Sequence, residues 1–157
     1  MMPAKRVDFY ILNTADELES LEFTCRLIEK IYLRNHRLFA YCDGLEQAHQ
    51  LDELLWTFKA NSFIPHNLEN EGPMPPPPIQ IGVAPPSRFF KDVLLNLSHQ
   101  LTEFHERFGR IIEILDERDD IKRMGRETYR AYQSYGYSLH VHKIDAHQIK
   151  ESYHELA

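Results

Sequence analysis

Two strand-like runs, each followed by a helical run, constrain this chain more than any other feature. Val7-Asp8-Phe9-Tyr10-Ile11-Leu12 is rich in strand formers and mostly apolar, so it reads as a buried strand. Thr14 and Glu17 match a capping box, in which side chains satisfy the first free amides of a helix. Leu18, Leu21, Cys25, Ile28 and Tyr32 then recur at steps of three and four, which predicts an amphipathic helix ending near Asn35. Arg37 to Cys42 reads as a second strand. Asp43 and Glu46 suggest a second capped start, with Ala48, Leu51 and Leu55 facing inward. Strand, helix, strand, helix is the pattern of a parallel sheet covered by helices.

The remaining segments fit the same class. Seven of the nine prolines fall between residues 73 and 86, and Pro75 to Pro78 predict a stiff, extended surface connection. Such a run can also serve as a ligand for proline-binding domains. Ile79 to Val83, Val93 to Leu97 and Ile111 to Leu115 read as further strands, with a short helical piece between Gln100 and Arg107. Asp119 and Asp120 suit the positive end of a last strong helix. Its inward stripe is read as Ile121, Met124, Thr128, Ala131 and Tyr135, with Gly136 closing it in the left-handed conformation. Ile149, Tyr153 and Leu156 have helical spacing, so a short terminal helix is expected. The expectation is a three-layer α/β/α domain with a mostly parallel sheet of about five strands. Its boundaries are 1–143, with 144–157 as a carboxy-terminal extension.

At 157 residues the chain has one domain's length, and a formal net charge of -6 argues against direct binding of a nucleic-acid backbone. No apolar run is long enough to span a bilayer, and charged residues interrupt any signal-like stretch near the start. The two cysteines, Cys25 and Cys42, form no CxxC motif, which suits a reducing cytoplasm.

The alternation is Rossmann-like, but a phosphate-binding loop is missing. The turn after the first strand, Asn13-Thr14-Ala15-Asp16, holds no glycine, and the six glycines are scattered singly. His140 and His142 stand two apart, with His147 and His154 beyond, but no cysteine or carboxylate cluster accompanies them as metal ligands. No GxSxG elbow is present, and Cys25 sits in a core stripe. The reading is therefore non-catalytic, with no cofactor or metal. A small α/β enzyme with an unfamiliar nucleotide or metal site is the competing class.

Two segments ask for a partner. In Ser62-Phe63-Ile64-Pro65-His66-Asn67-Leu68, large apolar groups gather in a loop, where they either pack inward or meet another protein. Trp56 is read as core beneath this loop, and Phe63 as a partner contact. On the last helix, Arg123, Arg126 and Arg130 recur at steps of three and four, with Lys122 and Tyr129 alongside. A solvated helix face accounts for such a run. Arginine forks beside an aromatic ring would equally suit an acidic peptide.

These segments resemble the chi subunit family of bacterial DNA polymerase III. The likeness lies in Leu51-Asp52-Glu53, Leu55-Trp56, the loop from Ser62 to Leu68, Arg126-Glu127, Tyr129-Arg130-Ala131-Tyr132 and Gly136-Tyr137, with Phe9-Tyr10-Ile11-Leu12 at the start. It covers approximately residues 5 to 143. The resemblance implies a non-catalytic adaptor in DNA replication, binding two partners. These are the psi subunit, which leads to the clamp loader, and the acidic carboxy-terminal tail of single-stranded-DNA-binding protein. By position, Phe63 and Pro65 fall on the psi side. Arg126, Tyr129 and Arg130 fall on the tail side, with Leu115 as a pocket wall.

Overall fold

A computed structural model describes residues 5–72 and 74–145. The chain runs β1 (Arg6–Leu12), α1 (Glu17–Leu33), β2 (Leu38–Tyr41), α2 (Leu45–Thr57), β3 (His66–Leu68) and β4 (Ile79–Gly82). It continues through β5 (Val93–Asn96), a 3₁₀ turn (His105–Arg107), β6 (Arg110–Leu115), α3 (Asp119–Ser134) and β7 (Ser138–Ile144). One sheet carries all seven strands in the order β3-β4-β2-β5-β6-β1-β7, and every pairing is parallel.

The layers follow from the handedness of the crossovers. A parallel crossover is right-handed, so the direction of travel along the sheet decides which face its connection covers. The chain moves one way from β1 to β2 and on to β3, and α1 and α2 cover one face. It moves the other way from β5 to β6 and on to β7, which puts α3 on the opposite face.

Alternation within the strands divides the core accordingly. Tyr10, Leu12, Leu38, Ala40, Leu95 and Ile112 pack with Leu27, Ile28, Leu51 and Leu55 of the first two helices. Val7, Phe9, Phe39, Leu94, Ile111 and Leu115 pack with Ile121 and Tyr132 of α3. The fold is the expected α/β/α arrangement with seven strands rather than five. The two missed strands are β3 and β7, which form the two edges.

Local differences have local causes. Asp16, not Thr14, caps α1: its Oδ1 accepts from the Leu18 amide at 2.9 Å, while Thr14 Oγ1 donates to Glu19 at 2.7 Å. The cap of α2 is Gly44, without a side-chain bond, and Asp43 instead donates its own amide to Gln47 Oε1 at 2.9 Å. Leu18 is exposed, so the stripe of α1 begins at Leu21. On α3 the buried positions are Ile121, Gly125, Thr128 and Tyr132, a stripe shifted from the expected one. Tyr135 is exposed. Gly136 has a φ of 79°, as its closing role requires. The expected terminal helix lies outside the described residues.

Candidate functional site: two faces at opposite edges of the sheet

At the β3 edge, α2 runs into the 58–65 loop. Ile64 is buried in the core and fixes the centre of the loop. Ser62 donates to Glu29 of α1, and Lys59 pairs with the same carboxylate at 3.2 Å. His66 closes the loop, its Nδ1 bonded to the Ile64 carbonyl at 2.6 Å and its Nε2 to the Asp52 carbonyl at 3.2 Å. With Ile64 turned in, its neighbour Phe63 is turned out and stands 68% exposed. Trp56 is 51% exposed, so it is not core. Its ring instead packs at a tilt against the His66 ring, centroids 4.4 Å apart, and against Phe63 at 5.9 Å. Pro65 is half-buried beside them. The sequence leads one to expect Trp56 in the core beneath the loop, but one residue round the helix from buried Leu55 it lies at the rim. The product is an exposed aromatic pair on a rigid support, the composition of an interface anchor.

At the opposite edge, β7 is anchored to β1 and β6 by one buried carboxylate. Asp8 accepts from Arg6 at 2.9 Å, from Arg110 at 2.7 Å and bonds His142 at 2.8 Å. Burial alone would raise its pKa, but these hydrogen bonds hold it down at about 2. His142 also stacks on Tyr10 at 4.6 Å, while His140 bonds Ser138. His147 and His154 lie outside the described residues. No group of three His, Cys, Asp or Glu among the described residues could hold a metal ion.

Above this edge α3 presents its basic flank. Arg126 and Arg130 are exposed one turn apart. Tyr129 lies half-buried at the border of the patch, with its ring on Phe9 at 5.3 Å. Phe9 pairs in register with Val141, which is 48% exposed and points to the same face. Lys122 of α3 and Lys143 of β7 line one cleft at the upper end of this strip, together with Ile11, Ile144 and the acidic Asp116, Glu117 and Asp145. Val141 and Lys143 were missed in the sequence, although the alternation of Leu139 and Val141 with polar neighbours signals a half-buried strand.

Leu115 lies beneath the helix at 8% exposure. A Cβ added at Gly125 would come within 2.4 Å of its Cδ1. Gly125 is thus the point of closest approach between α3 and β6, and Leu115 forms the floor under the helix. Gly125→Ala should therefore displace α3. Overpacking of this kind costs about 1–3 kcal/mol, which outweighs the helix-propensity gain of about 1 kcal/mol. A net fall in melting temperature checks this, and an unchanged or higher value would show that Leu115 can move aside.

With this geometry in view, the relatives are informative. Residues 4–140 match the family described as DNA polymerase III chi subunit, HolC. The chain belongs to this family. It is 33% identical to DNA polymerase III subunit chi of Pseudomonas aeruginosa over 139 residues, covering 88% of this chain and 96% of the relative. The Escherichia coli subunit is 32% identical, with 86% and 95% covered, and the Haemophilus influenzae subunit 31%, with 90% and 99% covered. Family membership carries an accessory role in DNA replication. Among solved structures, T4 UvsW superimposes with a TM-score of 0.62 at 8% identity, over 90% of this chain and 42% of that one. That likeness shows the shared fold alone. No helix among the described residues is long and apolar enough to cross a membrane.

Proposed function

We propose that the chain is a non-catalytic bridge in the DNA polymerase III clamp-loader assembly. Trp56, Phe63 and Pro65 hold the psi subunit. Arg126, Tyr129 and Arg130, over the Leu115 floor, hold the acidic carboxy-terminal tail of single-stranded-DNA-binding protein in the cytoplasm.

The observation that carries this reading is the separation of the two faces. One adjoins β3 and the other β7, at the two ends of a seven-stranded sheet. Six strand spacings of about 4.8 Å put them roughly 29 Å apart. Two partners can then bind at once without competing. The chemistry of each face also matches its partner: an aromatic anchor for a protein surface, and arginines for a carboxylate-rich tail.

The test is a three-component binding experiment. The chain, purified psi protein and a labelled tail peptide should co-elute as a ternary complex. Phe63→Ala should weaken psi binding about thirtyfold or more, the scale of an interface hot spot of at least about 2 kcal/mol, and leave the peptide bound. Because the Phe63 ring is mostly in water, the melting temperature should barely change. A fall matching the roughly 3–5 kcal/mol of a buried phenylalanine would return the ring to a structural role. Mutual exclusion of the two partners would overturn the bridging reading.

A further inference from the structure

The face that carries Arg126 and Arg130 ends on an open sheet edge. Among the described residues β1 is the one sheet neighbour of β7, and their register runs without a bulge from Ser138 to Ile144. The Ser138 amide donates to the Lys5 carbonyl at 2.8 Å, and the Ile144 carbonyl accepts from the Asn13 amide at 3.3 Å. Successive residues of a strand turn their amide and carbonyl groups to opposite edges. Ser138, His140, His142 and Ile144 therefore direct theirs to β1, while Leu139, Val141 and Lys143 direct theirs outward.

Exposed edges are commonly short, bulged, covered or charged, because their free backbone groups invite a further strand. β3, at the far edge, has three residues. β7 has seven and no bulge, and among its outward-directed residues the one charge is Lys143.

The side chains of these same residues turn toward α3. Leu139 packs in the core beneath that helix, and Val141 is the register partner of Phe9, on which Tyr129 rests. A strand added here lies along the flank that holds Tyr129 and Arg126, with Lys143 exposed at its upper end. That charge selects the occupant. An acidic strand gains ion pairs with Arg126 and Lys143. A second copy, paired β7 to β7 about a twofold axis perpendicular to the sheet, would set one basic flank against another.

We infer that β7 takes an extended acidic peptide as an eighth strand, on the free backbone groups of Leu139, Val141 and Lys143, with alternate side chains turned toward Arg126. This rests on the reading of the α3 flank as the tail-binding face and adds the mode of recognition. Main-chain pairing holds the tail extended, and the basic flank selects its charge.

The probe is acetyl-Asp-Ser-Asp-Ser-Asp-Val-Phe with a free carboxylate, added to the full chain. In hydrogen exchange followed by NMR, the Leu139, Val141 and Lys143 amides should slow about tenfold or more with saturating peptide. The His140 and His142 amides, already directed to β1, should change little. Methylating the peptide amides one at a time should weaken binding about tenfold or more at every second position and little at those between. Val141→Pro removes one outward amide without touching the β1 ladder, and should weaken peptide binding by about tenfold or more at a nearly unchanged melting temperature. Should that variant fail to fold, the methyl series decides, since it uses the wild-type chain. Binding that depends on Arg126 but tolerates every methyl, with Val141 and Lys143 exchanging as before, would overturn the strand addition and leave the tail-binding reading intact. No binding of the unmethylated peptide would overturn both. A dimer broken by Val141→Pro and indifferent to the peptide would give the edge to a second copy and overturn the inference.

Discussion

Replacing both Arg126 and Arg130 by alanine should weaken binding of a peptide ending in aspartates and an aromatic residue by up to about a thousandfold. A charge-assisted hydrogen bond contributes about 1.5–3 kcal/mol, so either single change should cost roughly ten- to a hundredfold. The two side chains sit one turn apart and reach the same ligand, so the double loss should fall short of strict additivity. Both are exposed, and removing them should leave the melting temperature nearly unchanged. Exposed ion pairs are screened, so wild-type affinity should also fall as salt rises, and the double variant should lose most of that dependence. Calorimetric titration of wild type, the two single variants and the double variant checks all of this. Equal binding by all four would reduce the patch to a solvated helix face.

The sequence showed the two faces unevenly. Arg126 and Arg130 were legible because charge at helical spacing away from an apolar stripe marks a solvated flank. The stripe itself was misphased, because its central member is Gly125, which no hydrophobic pattern counts but which brings α3 within contact of Leu115. The helix therefore sits rotated from expectation, and Tyr129 rests on Phe9 at the border of the patch. Phe63 was legible as an oddity, a large ring in a polar loop. Trp56 was not, since a tryptophan after a core leucine looks buried until the rim of α2 is known.

The edge strands escaped for opposite reasons. β3 has three residues, too few for any period. β7 has seven, but Lys143 and Ile144 break the alternation that Leu139 and Val141 begin. The long-range contacts that matter most had no local signal at all. Nothing near Asp8 announces that His142, 134 positions later, will bond it.

Glu113 is the strongest case of such a hidden contact, and it carries the largest expected effect on stability. It sits mid-strand in Ile-Ile-Glu-Ile-Leu, fully buried under α3. Tyr132 donates to its Oε2 at 2.8 Å and Asn96 to the same oxygen at 2.7 Å, while Oε1 has no partner. Burial pushes its pKa up to about 8, and the two hydrogen bonds only partly oppose this. In the unfolded chain the same group titrates near ~4.3. Between these values the folded protein holds a proton that the unfolded chain has released, so stability falls as pH rises from about 4.5 to 8 and levels off above. Each pH unit in that interval can remove up to about 1.4 kcal/mol, giving a total on the order of 3–5 kcal/mol.

Other groups tilt the curve differently. His99 and His105 have lowered pKa values from burial, and their contribution is lost as pH falls below about 6.5. Asp8 loses its contribution only as pH falls toward about 2. All three are unchanged in Glu113→Gln, so the difference between variant and wild type isolates Glu113. The amide keeps the shape and the accepting oxygen while removing ionisation. Denaturant unfolding at a series of pH values should show the variant gaining on wild type steadily from pH 5 to 8. Parallel curves across that range would mean that Glu113 is already ionised in the folded protein and that its two donors suffice to hold a buried charge.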